Sequence, residues 1–265
     1  MGCALPSGLC PDIYTGTRPP SFPYVESKLS VSARILGVLR RPRPTLQEVA
    51  SHPRWAPLLV TLTLVTAAAG AAVSATDVGQ LALVDQWERT ALAFGQTVDD
   101  TRYADLLAWS RLGPVVAAGN ALLAGPGLAL VVSLVVFVWL RRGAVAAKAG
   151  APGTGRVSYS QVLAVVVHAG VVLAVGRLVA APLVYARETT ASATTVGAWF
   201  PSLDEASPAA RFLGAIDLFT LWWAVVLGIG VAVLSGRRAR TCAVWIVSVY
   251  VGLALVAAAV MASAA

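Results

Sequence analysis

Residues 212–240 read FLGAIDLFTLWWAVVLGIGVAVLSGRRAR. Phe212 to Leu234 offers 23 residues with one ionisable side chain, Asp217, and Arg237, Arg238 and Arg240 follow at once. A helix needs about 20 apolar residues to cross ~30 Å of hydrocarbon. Inside lipid only the chain itself can satisfy a peptide group, so this run crosses as a helix. The arginines mark the end of the crossing and the side on which it ends.

Four more apolar runs flank it, at about Ala56–Ala75, Val115–Leu140, Val162–Val184 and Cys242–Met261. The chain therefore reads as all-α, a polytopic membrane protein built as a five-transmembrane-helix bundle. Composition agrees: 57% of residues are hydrophobic and 12% charged, against about 25% charged in a soluble domain. Three regions are expected: a disordered cytoplasmic tail over 1–28, cytoplasmic interfacial helices over 29–54, and a five-span membrane domain over 55–265. No basic n-region with an apolar core opens the sequence, so no cleavable signal peptide is expected.

The spans divide the lysines and arginines unequally. Fourteen fall in the N-terminal segment and the second and fourth loops, and five in the first and third loops. Acidic residues run the other way, three against nine. Basic loops stay cytoplasmic, so the N-terminus is expected inside and the C-terminus outside, in a bacterial cytoplasmic membrane. The net charge of +7 comes as short clusters beside apolar runs. Such clusters suit anionic lipids at the cytoplasmic face, whereas nucleic acid would require a continuous basic surface.

Before the first span, Leu29, Ala33, Leu36 and Leu39 recur at helical spacing. Pro42 and Pro44 end that helix, and Thr45-Leu46-Gln47-Glu48 reads as the capping box of a second, with Leu46 and Val49 on its apolar side. With Arg34, Arg40, Arg41, Arg43 and Arg54 around them, the two helices are expected to lie on the membrane surface with their leucines in the head-group boundary. In the first loop, Leu81, Val84, Trp87, Ala91 and Phe94 suggest a further amphipathic helix over Gln80–Phe94. Trp199-Phe200-Pro201 reads as an interfacial anchor.

Several of these stretches carry a resemblance. Arg34-Ile35 through Pro44-Thr45-Leu46, Pro53-x-Trp55-x-Pro57, Tyr159-Ser160-Gln161, Ile216-Asp217-Leu218-Phe219, Trp222 and Gly228-Ile229-Gly230 together resemble the Yip1-domain family, from about Arg34 to Ala265. The resemblance implies a five-span bundle with a cytoplasmic N-terminus, no enzymatic activity and no cofactor. It implies a protein that organises membrane or partner proteins, with a protein partner or a second copy as candidates. Eukaryotic members are tied to Rab-type GTPases and vesicle traffic. The Ala-, Val- and Arg-heavy composition here looks bacterial, where no such GTPases are expected.

Within the spans the ionisable groups are few. Arg177 and Asp217 fall at similar depths from the same side, so they are expected to pair, either to fix helix register or as part of a transport site. His168, mid-span, is either a neutral core histidine or an intramembrane titrating group. Asp217 shares a helical face with Ala224 and Gly228, which form a small-x-x-x-small step and make that face a packing face. The alternative function is thus a small transporter or channel using Arg177, Asp217 and His168. Gly150-Ala151-Pro152-Gly153-Thr154-Gly155 mimics a phosphate loop, but Arg156-Val157 stands where Lys and Ser/Thr are required. Cys3, Cys10 and Cys242 have no metal or redox spacing. No nucleophile–base pair emerges, so neither catalytic residues nor a metal is expected.

Overall fold

The computed structural model describes residues 30–93, 95–146, 157–187, 194–200, 202 and 207–263. The tail over 1–28 and the glycine-rich loop over 150–155 lie outside them.

Ser30 opens the first helix by accepting the Ala33 N–H at 3.2 Å, and α1 runs Val31–Arg40. The second, α2, spans Pro42–Ser51, with Pro42 in its first turn. Its start corrects the expectation of a capping box at Thr45. The first turn of a helix has no partners for its N–H groups, so Pro42 and Pro44 lose nothing there. The Thr45 hydroxyl instead donates back to the Arg41 carbonyl at 3.0 Å.

Among the described residues, five helices are long and apolar enough to cross a membrane. The first is α3, Ala56–Ser74. Its Thr61 and Thr66 return their hydroxyls to the Pro57 and Leu62 carbonyls at 2.8 Å, which removes the cost of burying them in lipid. The first loop folds as two helices where one was expected, α4 (Asp77–Ala93) and α5 (Asp100–Ser110). Helix α4 buries Ala82 and Val84 and leaves Leu81 exposed, so it packs on α3, α5 and the third span as well as facing lipid. Asp99 caps α5, and the Arg102 backbone N–H holds its carboxyl below the usual carboxylate value.

The second span lies within α6 (Gly113–Ala146), which continues through Pro126. The third is two helices, α7 (Tyr159–Ala169) and α8 (Val171–Arg187), meeting at Gly170. The fourth corrects the sequence reading. A short α9 (Pro208–Ala215) comes first, the backbone is extended at Ile216 and Asp217, and the crossing helix α10 begins at Leu218 and ends at Ser235. Gly236, at φ +67°, supplies the left-handed turn that stops α10. The fifth span lies within α11 (Ala239–Ser263).

The third span is the hub. Every residue of α7 from Val162 to Ala169 is buried, and α7 touches α2, α6 and α10, while α8 touches α3 and α10. The outer spans surround it and turn Leu64, Val115, Leu123 and Leu253 outward. So much apolar surface is stable only in lipid. No strand occurs among the described residues; one isolated antiparallel bridge joins Thr195 to Asp217.

Candidate functional site: the seat of the N-terminal hairpin

The helices α1 and α2 form a hairpin whose apolar side faces protein. Val38, Leu46 and Val49 are buried, and Val38 and Leu46 belong to the same cluster as Val162, Val165, Val226 and Val231 of α7 and α10. This corrects the expectation that the hairpin's leucines enter the head-group boundary; among the described residues only Leu36 of them is well exposed. An amphipathic helix beside a membrane has the same pattern whether lipid or protein takes its apolar face, and here the bundle offers a fitted seat.

Gly230 makes that seat. A methyl group added there would fall 2.3 Å from the Val165 Cγ1 and 3.5 Å from the Leu46 Cδ1, so α7, α10 and α2 converge where one side chain is missing. Gln161 clips the seat shut. Its Oε1 accepts the Ser158 N–H at 2.9 Å, closing the capping box of α7, and its Nε2 donates to the Ala50 carbonyl of α2 at 3.0 Å. One amide thus ties the end of the hairpin to the start of the third span. The hairpin's other side is polar: Arg40, Arg41, Arg43 and Arg54 are all exposed.

His168 lies deeper, fully buried on α7. Its Nδ1 donates to the Ala164 carbonyl at 2.7 Å, and among the described residues Nε2 has no hydrogen-bond partner. Arg34 of α1, half-buried, is within electrostatic reach of the ring.

Arg177 and Asp217 do not pair, against the expectation. Asp217 is the N-cap of α10, so it sits at the end of the crossing helix instead of a turn inside it. Its carboxylate accepts the Thr220 N–H at 2.9 Å, the Thr220 hydroxyl at 3.2 Å and the Thr194 hydroxyl. Its own N–H donates to the Tyr250 hydroxyl at 3.0 Å, which in turn donates to the Ala215 carbonyl at 2.9 Å. These bonds clasp the loop after the third span, α9 and α11 to the start of α10. Arg177 is exposed beside Leu178 and Val179, where a long stem can carry its charge toward the interface. On α10, Ala224 is fully buried, and a methyl group at Gly228 would lie 2.4 Å from the Ala243 Cα, so α11 crosses against Gly228.

Comparison with known families bears on the whole of this arrangement. The model of the Yip1 domain matches residues 36–261, which takes in the second half of α1, all of α2 and all five spans. The chain belongs to the Yip1-domain family. No curated protein and no solved structure matches it. The stretches that carried the resemblance have structural work in this Yip1 domain: Tyr159-Ser160-Gln161 holds the clip, and Ile216-Asp217-Leu218-Phe219 holds the clasp. Among the described residues, no group of three or more His, Cys, Asp or Glu could hold a metal ion.

Proposed function

We propose that this Yip1-domain protein is a non-enzymatic organiser in a bacterial cytoplasmic membrane. It gathers anionic lipid and a protein partner, or a second copy, on the exposed face of its N-terminal hairpin. The observation that carries this reading is the division of labour in the hairpin. Its apolar side is spent on α7 and α10, and Arg40, Arg41, Arg43 and Arg54 are left facing outward from a rigid seat. The uneven distribution of lysine and arginine supports a cytoplasmic position for that face, with the C-terminus external. Arg177, Asp217 and His168 occupy three separate environments, which speaks against their joint use as a transport site.

A photo-reactive residue at the exposed Gln47 position tests the proposal in cells. A defined protein adduct is expected, and Arg40→Glu with Arg43→Glu should abolish it while the protein still inserts and folds. Adducts to lipid alone, or protein adducts indifferent to the charge reversal, would refute it. Reporter fusions at Gly150 and Ala265 should report opposite sides of the membrane. Proton flux in proteoliposomes that disappears in His168→Ala would favour a transporter instead.

A further inference from the structure

On the same side of the membrane as the hairpin, the spans leave a narrow apolar cleft between α6, α10 and α11. It holds about 40 Å³ and is lined by Val135, Trp139, Val231, Cys242, Trp245 and Ile246. Sites for soluble small molecules run roughly 300–1,000 Å³ and include placed polar groups. This cleft is far smaller and wholly apolar. Its floor, Val231 and Cys242, is buried, whereas Val135 at its mouth is 63% exposed and Trp245 49%. The mouth therefore opens sideways toward the acyl chains.

Above the cleft the chemistry changes within one turn. The Trp139 and Trp245 rings stack at 5.0 Å, and the Arg237 guanidinium lies 5.3 Å from the Trp139 ring centre. Arg141 lies likewise 5.3 Å from the centre of Phe137. A guanidinium over a ring face keeps its in-plane N–H groups free. Neither Arg237 nor its exposed neighbours Arg142, Arg238 and Arg240 forms an ion pair among the described residues. Planar N–H donors in this setting match a phosphodiester, and an apolar notch directly beneath them matches the chain attached to it.

We propose that this cleft is a binding site for an anionic phospholipid, with part of one acyl chain in the notch and the phosphate against Arg237 and its neighbours. The site is separate from the hairpin face and stands whether or not that face recruits a partner. The stacked indoles are its wall, which anchors the α6–α11 edge at the interface.

The test uses the full chain in detergent micelles, with phosphatidylglycerol and phosphatidylcholine supplied in equal amounts and retained lipid counted by native mass spectrometry. One phosphatidylglycerol is expected to be retained at least fivefold over phosphatidylcholine. Arg237→Gln with Arg238→Gln should remove that preference. Val135→Trp, at an exposed position where the new ring covers the mouth, should also release the lipid while the protein elutes unchanged on size exclusion. Arg102→Gln with Arg111→Gln, exposed in the first loop, should leave retention as it was. Equal retention of the two lipids would overturn the site. So would an Arg102→Gln with Arg111→Gln variant that loses lipid as readily as Arg237→Gln with Arg238→Gln, since the attraction would then be diffuse. Retention unchanged by Val135→Trp would overturn the chain seat.

Discussion

If the hairpin is seated as described, Leu46→Ala should open it. Leu46 is fully buried, against Gly230 and within the cluster formed by Val165, Val226 and Val231. Truncating such a leucine costs about 2–5 kcal/mol, from lost transfer energy and the cavity left behind. At about 1.4 kcal/mol per factor of ten, the open population should rise roughly 30-fold to several thousand-fold. Nearly all of the loss should fall on the hairpin, because the spans keep their own contacts and lipid. The readout is thiol labelling at Val49→Cys, a buried position on the same helix face, in a background where Cys3, Cys10 and Cys242 are serine. When opening is fast and reversible, the labelling rate follows the open population. Labelling in nanodiscs should be slow with Leu46 present, and at least about 30-fold faster in Leu46→Ala. A Gln47→Cys control, exposed already, should label fast in both. If Val49→Cys labels as fast as Gln47→Cys while Leu46 is intact, the hairpin is not seated and the reasoning fails.

Removing the Asp217 cap with Asp217→Ala should cost about 1–2 kcal/mol in thermal unfolding, and Arg177→Ala should stay within about 0.5 kcal/mol of wild type. The double variant should be additive, and a coupling of a kcal/mol or more would restore the ion pair. Gly228→Leu should prevent α10 and α11 from closing and abolish a monodisperse elution peak. Gly252→Leu, with nothing within 4 Å, should elute normally, and equal behaviour of the two would contradict the crossing at Gly228. His168→Leu removes a buried ring nitrogen that has no partner among the described residues, so stability should hold within about 1 kcal/mol or rise. A large loss on chemical unfolding would mean that Nε2 is bonded.

The five crossings were legible because lipid leaves so few choices: long apolar runs must be helices, whatever their neighbours. Their ends were less so. Hydropathy over Phe212–Leu234 is uninterrupted, because Ile216 is apolar and a single aspartate barely lowers the average. Only the bonding of Asp217 to the Thr220 N–H and to Thr194, far away in sequence, reveals a cap. The prolines at 42 and 44 close α1 at Arg40 as expected, but that they also open α2 was hidden for a related reason. Proline opposes a helix interior but suits a first turn, and local sequence does not say which position is which. The hairpin seat was invisible because Val165 and Gly230, more than a hundred residues downstream, decide it. A small residue before the fact is only a small residue. For the same reason, nothing in the sequence set the Trp139–Trp245 stack apart from other interfacial aromatics.

The Gln161 clip also has a consequence in time. Its partner carbonyl, Ala50, is made 111 residues earlier. At ~5–20 residues per second the ribosome needs roughly 6–22 s to cover that interval. Throughout it the hairpin exists without α7, and it waits longer still for Gly230 of α10. Val38, Leu46 and Val49 then have no protein to cover them, and the leaflet beside the first span is the nearest apolar phase. The nascent hairpin is therefore expected to rest on lipid first and to transfer into the bundle when the third and fourth spans arrive. On that expectation biogenesis ends with a docking step, and any delay in inserting α7 prolongs the time for which Val38, Leu46 and Val49 lack their protein seat.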